Sequence, residues 1–162
     1  DWSTHLSAAD VALVNGRVDD DGWYPMAVFE RLGNAILSLI ASDQMELVRL
    51  WGYHSVDKLC QREPDLLAAG DPVESLARFR VLRATFFDFE ALTIPMLVVD
   101  EAHIAIAYGM GKPAEEAASW QAMGFFQRLI ELAGTTVSIA EFTERSWSGD
   151  PRTLLRVAWE PI

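Results

Sequence analysis

Apolar positions along the chain recur with two different periods, and the change between them divides it. From Met26 to Ile40, the residues Met26, Phe29, Leu32, Ile36 and Ile40 fall three or four apart, the spacing that stacks side chains on one helical face. Pro25 suits the first position of that helix, where a missing N–H is no loss. A shorter helix is expected over Leu6 to Asn15, capped by Ser7 or Ser3 and stopped at Asn15-Gly16. Ser42-Asp43 is expected to end the second helix and cap a third, from about Gln44 to Cys60, with Leu47, Val48, Trp51 and Leu59 buried. Residues 63–71 read as a connection with one turn of helix. Asp71-Pro72-Val73-Glu74 then starts a fourth helix, with a capping Asp, Pro at the first position and Glu at the third. Its stripe is Leu76, Phe79, Leu82 and Phe86.

After Phe87 the period shortens. Leu92 to Val99 and Ala102 to Tyr108 are short runs rich in β-branched residues, joined by an acidic turn at Asp100-Glu101, the pattern of a hairpin. A long helix follows from near Pro113 to Gly134, with Ala118, Ala122, Phe125, Phe126, Leu129, Leu132 and Ala133 on a broad apolar face. Thr136 to Arg145 and Thr153 to Trp159 form a second hairpin around the turn Ser148-Gly149-Asp150-Pro151. Several helices, a hairpin, a helix and a hairpin make an α+β protein: N-terminal helices packed on one face of an antiparallel sheet of about four strands, with a long helix between the two hairpins.

Composition narrows the class without naming a function. The 162 residues carry 24 acidic and 13 basic side chains, a net charge of −11, which disfavours nucleic acid and anionic membrane as partners. One cysteine, Cys60, excludes an internal disulfide and a cysteine-rich zinc site. No apolar run reaches the length of a membrane span. The chain opens at Asp1 without Met and without a leader-like segment, so we expect one domain over residues 1–162, cut from a longer cytoplasmic protein.

Several motifs tempt. Asp100-Glu101-Ala102-His103 spells the acidic box of nucleic-acid helicases, but no phosphate-cradling glycine loop precedes it, and Pro113 stands where Gly109-Met110-Gly111-Lys112 would need Ser or Thr. His5, His54 and His103 share no metal-ligand spacing. His54, beside Trp51 and Tyr53, is the one histidine in an apolar helical context, and a single imidazole suffices for an axial haem ligand. No nucleophile elbow or other catalytic signature occurs, so neither enzyme activity, nor a metal, nor a cofactor is expected. The aromatic residues can be core, a dimer surface, or the wall of a pocket between helices and sheet for a small apolar or planar molecule. The pocket candidates are Trp23, Tyr24, Phe29, Trp51, Tyr53, His54 and Phe79.

Two stretches resemble a known family. The first runs from Leu6-Ser7-Ala8-Ala9-Asp10 through Asn15-Gly16-Arg17-Val18 to Trp23-Tyr24-Pro25-Met26 and Phe29-x-x-Leu32. The second comprises Ser119-Trp120, Leu129-Ile130-Glu131-Leu132-Ala133-Gly134, Phe142-Thr143 and Gly149-Asp150-Pro151 with the strand to Trp159. Together they are similar to a largely uncharacterised bacterial family abundant as paralogues in myxobacteria, itself similar to the 4-vinyl reductase and haem–NO-binding type of domain. The resemblance implies a sensory domain of helices over an antiparallel sheet, a ligand pocket between them, frequent homodimerisation and a place in signal transduction. It also shows departures. Relatives of the 4-vinyl reductase type carry metal-binding cysteines around the Gly-Asp-Pro turn, where this chain has Arg152, Thr153 and Leu154. No Tyr-x-Ser-x-Arg clamp for haem propionates can be matched. The expectation is therefore a non-enzymatic ligand-sensing or regulatory domain; the alternatives are a protein-interaction module without a ligand and a haem-based gas sensor.

Overall fold

The computed structural model describes all residues, Asp1–Ile162. Five helices, α1 (Ala8–Asn15), α2 (Met26–Leu39), α3 (Met45–Arg62), α4 (Pro72–Leu82) and α5 (Ala114–Leu132), pack with a four-stranded sheet of β1 (Leu92–Leu97), β2 (Glu101–Ile106), β3 (Val137–Glu144) and β4 (Thr153–Trp159). The sheet order is β1-β2-β4-β3, with every neighbouring pair antiparallel. Two hairpins thus join through their second strands, and α5 is the long connection between them. The α+β architecture expected from the two periods is the one observed.

Local chemistry explains where the helices begin. Ser7 caps α1 in a reciprocal box with Asp10: the Asp10 main-chain N–H donates to Ser7 Oγ, and the Ser7 N–H donates to Asp10 Oδ2. Asp71 caps α4 by accepting from the Glu74 N–H, with Pro72 at the first position. Two expected starts are shifted. Pro25 sits one residue ahead of α2 as its cap position rather than inside it. Ser42 and Asp43 do not cap α3; both adopt left-handed backbone (φ 50° and 59°) in the turn, and α3 follows Gln44. That turn is tight enough to need the left-handed conformation that short polar side chains tolerate.

The core lies between the inner sheet face and α3, α4 and α5. Alternation delivers Ala102, Ile104 and Ile106 from β2 and Leu155, Val157 and Trp159 from β4, against Phe126, Leu129 and Ile130 from α5 and Leu76 and Phe79 from α4. Phe79 and Phe126 meet edge to face, with ring centroids 5.0 Å apart. Helices α3 and α5 cross in backbone contact. A Cβ on Gly52 would stand 2.0 Å from the Gln121 carbonyl oxygen, and one on Gly124 would stand 1.9 Å from that of Arg49. The N-terminal pair α1–α2 attaches through a smaller cluster of Leu37, Ala41, Val48 and Ala117. Asp10, 2 % exposed, receives Arg31 of α2 through both carboxylate oxygens (2.7 and 2.8 Å). Arg31 and Ser7 together hold its carboxyl well below the usual aspartate range.

The outer face of the sheet is polar. Arg156 of β4 donates to both oxygens of Glu101 (2.9 and 3.1 Å), which His103 also contacts at 2.8 Å. The acidic box of the sequence is thus a cross-strand ion pair at the end of a hairpin. Arg156 first, then His103, pulls the Glu101 carboxyl from 4.5 down to about 2. A group depressed on folding adds stability that is complete above its unfolded pKa and is lost as pH falls toward the folded one. The stability gap between the protein and Glu101→Gln, followed by urea denaturation, should accordingly narrow steadily between pH 5 and pH 2. At the β1 edge, Pro95 presents no N–H, pairing shifts register between Thr93 and Met96, and Arg80 of α4 donates to the Ile94 carbonyl at 2.7 Å.

Candidate functional site

The space that could hold a ligand follows from small residues on α5. Ala114, Ala117, Ala118 and Ala122 recur along the helical face that α2 and α3 approach, and their short side chains leave two apolar clefts side by side. The first, about 250 Å³, lies between α2, α3 and α5 and is walled by Phe29, Leu32, Ile36, Val48 and Trp51. The second, about 310 Å³, lies between α3, the end of α4, α5 and the sheet edge at Leu92. Its walls are aromatic: Phe29, Phe79, Phe86, Phe87, Tyr108 and Phe125. Phe29 and Gln121 line both.

The row Trp51, Ser55, Leu59 on α3, spaced by four, presents one residue to the first cleft and two to the second. Across the two linings there is no histidine, cysteine, carboxylate or cation; the polar side chains are Ser55, Gln121 and Tyr108, with the indole of Trp51. The Ser55 hydroxyl donates to the Gly52 carbonyl at 2.7 Å. Larger depressions exist, each with charged residues in its lining. In the one of about 460 Å³ beside Glu63 and Asp65, Arg78 is tied to Glu74 and to the Asp65 and Leu67 carbonyls.

The seven residues singled out in the sequence do not share one place. Phe29 and Trp51 wall the first cleft, and Phe29 and Phe79 wall the second. Trp23 and Tyr24 lie outside both, in the approach to α2; Trp23 is 60 % exposed, and the Tyr24 hydroxyl accepts from the Asp19 N–H (3.0 Å) in the preceding turn. Tyr53 also lies outside both clefts, because it stands two residues from Trp51 on a helix and so projects from another side. Its hydroxyl donates to Glu131, and its ring carries the Arg128 guanidinium at 5.2 Å. Arg128 in turn clasps Asp57 (2.9 and 3.3 Å), so this group pins α3 to α5. His54 is exposed and meets the Tyr53 ring edge, with centroids 5.4 Å apart. Cys60 lines neither cleft, and burial, then the Asp57 charge, pushes its thiol up, which keeps it protonated.

The sequence alone assigns Gln121, the alanine row and Tyr108 to no site, although Ala118 and Ala122 stand on the expected apolar face of the long helix. The signal for Tyr108 was present in strand parity, since Ala102, Ile104 and Ile106 all face inward and residue 108 continues that series.

No family model matches the sequence, and no curated protein matches it. Solved structures do match, at low identity. One is the Fe(II) unliganded H-NOX protein from K. algicida, 13 % identical, with a TM-score of 0.66 over 99 % of this chain and 85 % of that one. Another is an H-NOX protein from S. oneidensis, 8 % identical, with a TM-score of 0.65 over 98 % of this chain and 83 % of that one. A third is a trafficking protein particle complex subunit 3 from Naegleria fowleri covalently bound to palmitic acid, 14 % identical, with a TM-score of 0.56 over 82 % of this chain and 93 % of that one. The fold is that of the H-NOX domains. No helix is long and apolar enough to cross a membrane.

Proposed function

We propose that the chain is a non-enzymatic, haem-independent ligand-sensing domain that takes up a small apolar molecule between its helices and the sheet edge. The observation that carries this reading is the second cleft: about 310 Å³, with six aromatic rings among its eleven lining residues, where α2, α3, α4 and α5 meet the edge of the sheet. Apolar clefts with few polar groups are where small ligands bind. The structural neighbours support ligand uptake by this fold, one named for its Fe(II) state and another for palmitic acid, and the sequence likeness to 4-vinyl reductase type domains points the same way.

Haem does not fit the residues present. An axial bond to iron needs an imidazole, thiolate or phenolate directed at the metal, and propionates need cations. Neither cleft is lined by a histidine, a cysteine or a cation, and the one phenol, Tyr108, is pushed toward its neutral form by burial and then by the Glu115 charge. His103 is held by Glu101 on the outer sheet face, and His54 faces solvent. A covalently held ligand is not proposed either, since the one cysteine, Cys60, stands outside the clefts with its thiol pushed toward the neutral form.

Output is assigned to α2. This helix supplies Phe29, Leu32 and Ile36 to the first cleft and at the same time leaves Ile36, Leu39 and Ile40 more than a third exposed beside Leu50 and Trp51. A ligand that moves α2 therefore alters an apolar surface that a second copy or a signalling partner can read. Native mass spectrometry of the protein from its host should show a retained small molecule and report the oligomeric state in the same spectrum. Added haemin should give no Soret band that survives gel filtration. A stable, stoichiometric Soret band would overturn the haem-free assignment.

A further inference from the structure

We infer that the aromatic cleft selects an uncharged, planar ligand bearing one hydrogen-bond acceptor, and that the Tyr108 hydroxyl is the donor that orients it. This rests on the ligand-binding reading above and adds the chemical class.

Tyr108 stands two residues past the end of β2 and is 8 % exposed. Its ring forms a wall of the cleft, with its centroid 5.6 Å from that of Phe87. Its main-chain N–H is spoken for, donating to Glu115 Oε1 at 2.9 Å. Its hydroxyl makes no hydrogen bond within the chain; only burial and the Glu115 charge act on it. The hydroxyl oxygen is not among the fully enclosed polar atoms that lack a partner, so water reaches it, and a ligand acceptor entering the cleft can take that water's place. Burial first, then Glu115, pushes the phenol well up from 10.0, so it stays a neutral O–H and can donate. The other polar side chains of this cleft do not compete for the role. Ser55 spends its hydroxyl on Gly52, and Gln121 is an exposed residue at the rim.

Charge sets the ligand class. A carboxylate or phosphate entering the cleft would lose its water and find no cation, with Glu115 close behind Tyr108. Both oxygens of Glu115 are engaged by the Tyr108 and Met110 N–H groups, so that carboxylate is not presented to a cationic ligand. What remains is a neutral molecule. The walls of Phe79, Phe86, Phe87 and Phe125 favour a flat one, because aromatic rings gain most from edge and offset-face contact with another π-system. A ketone, aldehyde or ester carbonyl on an aromatic body satisfies every one of these conditions.

The test is calorimetric titration of three shape-matched probes, 2-acetylnaphthalene, 2-ethylnaphthalene and 2-naphthoate, into the protein and into Tyr108→Phe at pH 7. The ketone should bind the protein roughly fivefold more tightly than the hydrocarbon, the worth of one hydrogen bond, and naphthoate should bind most weakly. Tyr108→Phe should erase the ketone's advantage while leaving the hydrocarbon's affinity within about twofold, a readout that mere loss of structure would not produce. Naphthoate binding as tightly as the ketone, or an unchanged ketone preference in Tyr108→Phe, overturns the assignment of ligand class while the cleft stands as a binding site. If none of the three binds to protein that is folded by circular dichroism, the ligand-binding reading falls with it.

Discussion

Gly124→Ala should cost about 3 kcal/mol or more of folding stability, a large share of what a domain of this size possesses. The added Cβ would stand 1.9 Å from the Arg49 carbonyl oxygen and 2.8 Å from the Tyr53 nitrogen. Both are main-chain atoms of α3, so no rotamer change can make room; the two helices must separate. Separation strains everything placed around that crossing, including the Arg128 clasp on Asp57 and the packing of Phe126 beneath it. Gly52→Ala should behave alike, since its Cβ would meet the Gln121 carbonyl at 2.0 Å. Gly33→Ala is the control. It lies in α2 with nothing within 4 Å of a new Cβ, and alanine there should gain up to about 1 kcal/mol from helix propensity. Urea denaturation of the three variants separates these outcomes. A Gly124→Ala midpoint within error of the parent would show that the helices do not cross as described.

Phe126→Ala should be comparably severe, about 3–5 kcal/mol. Phe126 is fully buried at the centre of the core, edge to face with Phe79 at 5.0 Å and with Phe125 at 5.3 Å. Removing the ring leaves a cavity whose other walls are fixed by the sheet and by α4, so collapse around it is limited. Phe79 and Phe125 also wall the aromatic cleft. The variant should therefore lose ligand binding together with stability, measured as a lower thermal midpoint and a weaker 2-acetylnaphthalene isotherm. A loss below about 1 kcal/mol would contradict the burial assigned to it.

Much of the fold was legible because its determinants are local. The Asp71-Pro72-Glu74 helix start, the two hairpins and the long α5 follow from capping chemistry, turn residues and period, and each is found within a few residues of its expected bounds. The burial of Leu155, Val157 and Trp159 follows from strand alternation alone. The site was less legible because it depends on which helical faces meet. Trp51 and Tyr53 are neighbours in sequence, yet one walls a cleft and the other binds Glu131, a division set by the rotation of α3 against α5. That rotation is fixed by Gly52 and Gly124. A glycine within a helical pattern reads in isolation as a local weakness, and it becomes a notch only when a second backbone lies across it. Trp23 and Tyr24, in a motif-like Trp-Tyr-Pro entry, carry no mark of whether they face inward; their exposure is a tertiary outcome.

The arginine clamp on β1 has a consequence for communication. With Arg80 occupying the Ile94 carbonyl and Pro95 offering no donor, the outer rim of the sheet cannot recruit a strand from another molecule. Sheet extension, the simplest way for a small α+β protein to join a neighbour, is closed at that rim. The rim left open is β3, at the other end of the sheet, and among the helices α2 touches the first cleft on its inner side while Ile36 and Leu39 stay more than a third exposed.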